Sequence, residues 1–441
     1  MKLRNLIVAA AVLAALSGVV WWAKRHPESA GSAANTPPAP KLADISDSTV
    51  QQIELRKKDG SRVTLYRKNG KWSITAPESF SADQDAVSTI VSSLNPVTAD
   101  SIVEDRPSDL AKYGLTTPSL TVTIKEKAGK TDQLLFGDDV PAGSLVYASI
   151  NSRPAVYTVS SSVKSSFDKG IHDLRDKRLL TFDSNRLTRV ELISGKSDIE
   201  FGKNNQNEWQ ILKPKPYRAD SFQVEDLLRK LTDAKMDLSG TSADAKKTDA
   251  SFDSGQRVAT AKVSDAAGTQ TLEVHKNKDD YYAQSSVVKG IYKIPADLGK
   301  QLEKPTDDFR NKKVFDFGFS DPTKIEAQQG DTAKIYQKSG QDWKLNGKVM
   351  DPRSIQAFID KLRDLSATKF VENGFTTPVL TIAVTSNDGK RVEKVAFAKT
   401  ANGYIARREN ESALYELDGK SVNDILEANS NIKQTASAPK K

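Results

Sequence analysis

Beyond the first 26 residues the chain has three tryptophans, Trp72, Trp209 and Trp343, which recur 137 and 134 residues apart in nearly the same local sequence. Each lies 17 or 18 residues after a glutamate flanked by apolar residues, in Ile53-Glu54-Leu55, Val190-Glu191-Leu192 and Ile325-Glu326-Ala327. Each then precedes an aspartate, Asp83, Asp220 or Asp351, that opens an amphipathic stretch. Self-similarity at a fixed period means one structural unit used several times. The length of 441 residues agrees with three units, since a domain takes roughly 150 residues.

Within one period the opening reads as an antiparallel meander. Ile53-Glu54-Leu55 leads through Asp59-Gly60 to Val63-Thr64-Leu65-Tyr66, and through Asn69-Gly70 to Trp72-Ser73-Ile74. Asp-Gly and Asn-Gly supply the positive φ values that tight hairpins need. A helix is expected next, because Val87, Ile90, Val91 and Leu94 are spaced i, i+3, i+4, i+7. The same spacing recurs as Val224, Leu227, Leu228 and Leu231, and as Ile355, Phe358, Ile359 and Leu362. Asp83, Asp220 and Asp351 stand four residues earlier, where an N-cap belongs, and Pro352 suits a first helical turn.

The second half of each period returns to strands. Gly114-Leu115-Thr116-Thr117-Pro118 and Gly374-Phe375-Thr376-Thr377-Pro378 each precede alternating apolar residues, such as Leu120, Val122 and Ile124. A closing hairpin is expected around Tyr147 and Tyr157, Tyr282 and Tyr292, and Tyr404 and Tyr415. Ten residues on, Phe167, Leu302 and Ile425 mark the apolar side of a short helix, and the junction 173–179 recurs as 308–314. The expected fold class is α+β: three tandem modules over 45–183, 184–318 and 319–433, each an antiparallel β-meander with one packed helix followed by further β-hairpins.

The N-terminus speaks to location. Leu6 to Ala23 carries no charge and is bounded by Lys2 and Arg4 on one side and Lys24 and Arg25 on the other. About 20 apolar residues span a bilayer, and Trp21 and Trp22 stand where rings favour the interface. Residues 1–26 therefore read as an uncleaved N-terminal transmembrane helix, with a cleaved signal peptide as the rival reading. Against cleavage, Lys24, Arg25 and His26 separate the run from the small residues 29–34. The expected location is a bacterial inner membrane, single-pass, with the bulk of the chain periplasmic. Residues 27–44, rich in Pro, Ala and Ser, are expected to form a disordered linker, and 434–441 a disordered tail.

The Trp-x-Ile/Leu strand, the Ala/Met-Asp helix start, the run Tyr113-Gly114-Leu115-Thr116-Thr117-Pro118 and Leu174-Arg175-Asp176-Lys177-Arg178-Leu179-Leu180 together resemble a bacterial family, the domain of unknown function 4340 family. The resemblance covers most of residues 45–430; the middle period departs from it, with Ser254-Gly255-Gln256 near where Thr-Thr-Pro should fall. The family carries no catalytic residues over. What it implies is an envelope protein with an N-terminal anchor that accompanies ABC-type transport or gliding machinery. The expected partners are thus the membrane and a membrane protein, such as ABC transporter subunits.

Motifs for chemistry are sparse. The three histidines, His26, His172 and His275, have no metal-ligand spacing, and the absence of cysteine excludes disulfides and thiolate-bound zinc. Gly-Lys-Ser/Thr occurs at 129–131, 195–197 and 419–421 without the earlier glycine of a phosphate loop. Ser161-Ser162-Val163-Lys164 has the spacing of a serine acyl-transfer pair, but its partner motifs are missing. The 65 basic residues are interspersed with 57 acidic ones, so nucleic acid is not an expected partner.

The tryptophans are expected in the core, and Glu54, Glu191 and Glu326 on the solvent face. Arg175-Asp176-Lys177-Arg178 is expected to form an ion-pair cluster between modules. No catalytic residue, cofactor or metal is assigned, binding residues are unknown, and the protein is expected not to be an enzyme. The functional expectation is a non-catalytic accessory or scaffold subunit of an envelope complex, such as an ABC-type transport or gliding system. The alternative is an envelope glycan or polymer binder using exposed aromatics such as Tyr281, Tyr282 and Tyr404.

Overall fold

A computed structural model describes residues 39–435, apart from 142, 196, 239 and 319–321. The apolar run Leu6 to Ala23, most of the expected linker and tail residues 436–441 lie outside the described residues. Among the described residues, no helix is long and apolar enough to cross a membrane. The chain divides into two compact units, Met1–Lys177 and Arg178–Lys441.

The first unit is built on a nine-stranded antiparallel sheet. One meander runs Val50–Lys57, Arg62–Lys68, Lys71–Ala76 and Phe80–Ser81. A second runs Leu120–Glu126, Thr131–Asp139, Leu145–Ile150 and Arg153–Ser160. They meet through their first strands, with Glu54 opposite Thr123, and Ser101–Glu104 closes the far edge. The turn at Asn69 and Gly70 has φ of 51° and 79°, the left-handed pair that a two-residue hairpin demands.

Between the meanders the helix Gln84–Ser92 covers one face of the sheet. The Asp83 carboxylate accepts from the N–H groups of Asp85 and Ala86, which have no intrahelical carbonyl to meet. Val87, Ile90, Val91 and Leu94 are buried, and Trp72 joins them in the same core.

The second unit holds two sheets of eight and nine strands, both antiparallel and both with this plan. In one, Arg189–Ser194 pairs with Gln256–Asp265; in the other, Lys324–Gln329 pairs with Pro378–Ser386. The helices Ser221–Asp233 and Pro352–Asp364 are capped by Asp220 and Asp351, and their expected apolar stripes are buried. Trp209 and Trp343 are 5% and 7% exposed, so both indoles are core residues. A further hydrogen bond recurs at the caps. The N–H groups of Asp83, Asp220 and Asp351 each donate at 2.8 Å to a carbonyl at the period's end, that of Leu174, Phe309 and Lys433. The chain is thus α+β with antiparallel sheets and internal repeats, as the periodicity requires.

Several boundaries differ from expectation, each for a packing reason. Leu179, Leu180 and Phe182 are buried in the core of the second sheet, which moves the expected 183/184 boundary to 177/178. Val314, Phe315 and Phe317 likewise enter the third core, ahead of the expected start at 319. Within the expected linker, Lys41–Ala43 forms a strand against Val97–Thr98, and Leu42 and Ala43 are buried. Two apolar side chains suffice to dock a segment whose average composition reads as disordered. In the expected tail, Gln434 bridges Met350 and the Thr435 N–H donates to the Val349 carbonyl.

Among the described residues, the middle sheet has eight strands and no ninth. Where the others place Ser101–Glu104 and Lys369–Val371, it has the helix Ser242–Asp253, which packs on the strands at that end of the sheet. This is the region where the Thr-Thr-Pro pattern fails.

Candidate functional site

The densest polar constellation lies inside the second unit, between its two sheets. The short strand Tyr217–Arg218 ends the second sheet and presents Arg218, whose side chain is 12% exposed. Arg218 Nη1 donates to Asp316 Oδ2 at 3.1 Å, and Nη2 donates to the Lys313 carbonyl at 2.5 Å and the Tyr415 hydroxyl at 3.0 Å. Its Nε lies 3.0 Å from Glu411 Oε1, with the N–H turned off that line.

The third sheet supplies the other half. Tyr415 donates to Glu411 Oε2 at 2.7 Å, and Arg408 reaches Glu411 at 2.6 Å and the buried Glu393 at 2.9 Å. Both Glu393 oxygens accept from the Asp316 N–H. Arg391 crosses back to the second sheet, meeting Glu208 at 2.9 Å. Three arginines and four carboxylates thus cement two sheets and the linker between them. The most buried of them, Glu393, Arg408 and Arg218, hold their charge because they are paired and hydrogen-bonded.

The network sets the ionisation of its members. Burial pushes the Glu411 carboxyl up, but Arg218 and Arg408 outweigh it and hold it below the ordinary glutamate value of 4.5. Glu208 is held down against its own burial by Asn204 and Arg391. Burial pushes the Tyr415 hydroxyl up to about 12, and does the same at Tyr336. A depressed carboxylate stabilises the fold above its unfolded value and loses that contribution as pH falls through the folded value. A raised tyrosine stabilises below pH 10, its ordinary value, and loses that contribution as pH climbs toward 12. The melting temperature of the full chain is therefore expected to fall below about pH 4.5 and again above about pH 10. Tyr415→Phe should flatten part of the alkaline limb; a melting temperature that does not change from pH 7 to 3 would contradict the assignment.

A cavity of about 410 Å³ opens beside the network, lined by Trp209, Arg218, Asp316 and Arg391 among others, with Phe222 73% exposed at its side. In the first unit a cavity of about 600 Å³ is edged by Arg56, Lys57, Arg62 and Lys169. Two of those cations are already taken, Arg56 by Glu54 at 2.5 Å and Lys57 by Asp168 at 2.6 Å.

Residues singled out in the sequence fall elsewhere. Ser161 begins the helix Ser161–Phe167 and no hydrogen bond joins it to Lys164. The Gly129-Lys130-Thr131 run is a hairpin turn, and Gly419-Lys420-Ser421 starts a helix whose first turn is occupied by the Asp418 carboxylate. His275 stacks on Phe252 at 3.8 Å and meets Glu273 at 3.0 Å, while His172 is exposed.

Glu54, Glu191 and Glu326 pair with Arg56, Arg189 and Lys324 on their own strands, and Glu191 also faces Lys262 across the sheet. Of the aromatics expected to be exposed, Tyr281 and Tyr404 are 1% and 5% exposed, and Tyr282 is partly exposed. Tyr281 turns inward because its hydroxyl finds Glu303 at 2.5 Å. At the first junction, Arg175 lies over the Phe80 ring at 4.1 Å.

Sheets of this kind define an α+β protein with internal repeats. The family described as Domain of unknown function (DUF4340) matches residues 72–247 and again residues 209–379, and the chain belongs to that family. The two matches start at Trp72 and Trp209, one sequence period apart. No curated protein and no solved structure matches the chain.

Proposed function

We propose that the protein is a non-catalytic scaffold or accessory subunit of an envelope complex, made of three tandem modules and anchored to the inner membrane by residues 1–26. Its bulk stands in the periplasm, and its partner is a membrane protein such as an ABC transporter subunit. The observation that carries this reading is the pairing of an uncharged N-terminal run, Leu6 to Ala23, with a repeated sheet plan in the residues that follow. Repeats of this sort add surface while leaving the neighbouring core unchanged. The ion pairs Arg218–Glu411 and Arg391–Glu208 of the second unit support the same reading, since each joins one of its sheets to the other.

The test is crosslinking of the tagged full-length protein in membranes, followed by purification and mass spectrometry, beside a control lacking residues 1–26. Transport subunits are expected with the anchored form and not with the control. Recovery of no reproducible protein partner from either form would sink the proposal.

A further inference from the structure

Arg310 stands at the start of the linker between the second and third sheets, in a bridge to Ala219. Its guanidinium lies between two rings, with Cζ 3.9 Å from the centre of Tyr217 and 3.5 Å from that of Phe370. The side chain is 9% exposed. Rings on both faces leave a planar cation only its edge for hydrogen bonding. Of the edge donors, Nη1 meets Asp307 Oδ1 at 2.9 Å, and Asp307 is the one group that Arg310 bonds among the described residues. Nε is buried with no partner, and Nη2 makes no hydrogen bond to the protein. A guanidinium so enclosed, with donors unspent, is costly for a fold to keep.

Beside it opens a cavity of about 500 Å³, within the size range of small-ligand sites. Pro214, Val371 and Ala413 give it apolar walls, together with the two rings. The charged residues lining it are Lys215 and Arg310 against Asp307 and Glu372, two of each sign. An arriving monoanion is tolerated by that balance, whereas a phosphate dianion meets two carboxylates. The equivalent arginine of the first unit, Arg175, rests on a single ring, so the enclosed form belongs to this junction.

The geometry points to a carboxylate-binding subsite, in which an acid with an apolar body presents its carboxylate to Nη2 of Arg310, the donor that neither burial nor a protein partner closes off, and lays that body against Phe370 and Val371. A hydrogen bond from a guanidinium to a carboxylate is roughly twice as strong as one between neutral groups. Phe370 belongs to Lys369–Val371, an end strand of its sheet that pairs only with Leu414–Asp418. The acid is therefore either a free small molecule or the C-terminal residue of an extended peptide lying along that strand.

Calorimetric titration of the full chain distinguishes these sources and the idea itself. The probes are N-acetylphenylalanine and its amide, a hexapeptide ending in phenylalanine with free or amidated terminus, and inorganic phosphate. The free acids are expected to bind at least about tenfold more tightly than the amides. Arg310→Lys, which keeps the charge and loses the fork, should weaken the acids about tenfold. Ser412→Trp, an exposed substitution at the cavity wall, should abolish binding while leaving the melting temperature unchanged. A peptide that binds more tightly than the small acid assigns the site to a peptide terminus; equal affinity assigns it to a free acid. The inference is overturned if acid and amide bind alike, if neither acid gives heat, if phosphate binds as tightly as the acids, or if both variants bind as the parent does.

Discussion

Replacing Arg218 with alanine is expected to destabilise the second unit by about 3 kcal/mol, at the low end of what removing one partner of a buried ion pair costs. The side chain touches Lys313, Asp316, Glu411 and Tyr415, so its loss leaves two carboxylates with less countercharge and a carbonyl and a hydroxyl with one donor fewer. The loss is held to the low end because Glu411 keeps Arg408 and Asp316 keeps Arg391 at 3.9 Å. Denaturant unfolding of the full chain measures it. The expected second sign is one unfolding transition for the two sheets of this unit in the parent and two separate transitions in the variant.

Combining Arg218→Met with Glu411→Leu should recover part of the loss, because the stranded acid goes with the base. A single variant within about 0.5 kcal/mol of the parent would mean that the network is peripheral to stability.

Trp209→Ala should cost about 3–5 kcal/mol, the range for truncating a large buried aromatic. The indole is 5% exposed in the core that also holds Leu227 and Leu231 of the helix Ser221–Asp233. Trp209→Phe should retain more than half of the lost stability, since it restores most of the volume. The equivalent change at Trp343 should act on the third core to a similar extent, because it is 7% exposed among Phe358 and Leu362. A loss below about 1 kcal/mol at either position would place the indole outside the core and reopen its use as a ligand platform.

Much of the local structure was legible in the chain. Apolar spacing and an aspartate cap define the helices Gln84–Ser92, Ser221–Asp233 and Pro352–Asp364, and both act over a few residues, so they read the same in sequence and in space. The helix Ser242–Asp253 escaped because it has no apolar stripe, Phe252 being its one large apolar residue, with only the capping box of Thr241 and Asp244 as a local sign. The boundary residues Leu179 and Val314 escaped for another reason. Each follows a basic junction directly, and nothing in a linear reading says which of two neighbouring cores an apolar residue will enter.

The polar network was illegible in the same sense. Arg218 and Tyr415 are brought together from opposite ends of the second unit, and no local pattern links them. One sign was present: Arg218 occupies the position two residues before the cap where the first and third periods have Ser81 and Val349. A departure from a repeat at a fixed position marks a residue answering to something outside its own period.

By itself the sequence determined the α+β class, the period, the capped helices and the burial of the three tryptophans, because each rests on spacing along one element. Only the tertiary structure decided that Tyr281 and Tyr404 face inward, and that Arg310 lies between two rings while Arg218 gathers acids from another sheet. Such choices depend on which side chains meet across several hundred residues, where desolvation must be offset by partners that chain order does not place side by side.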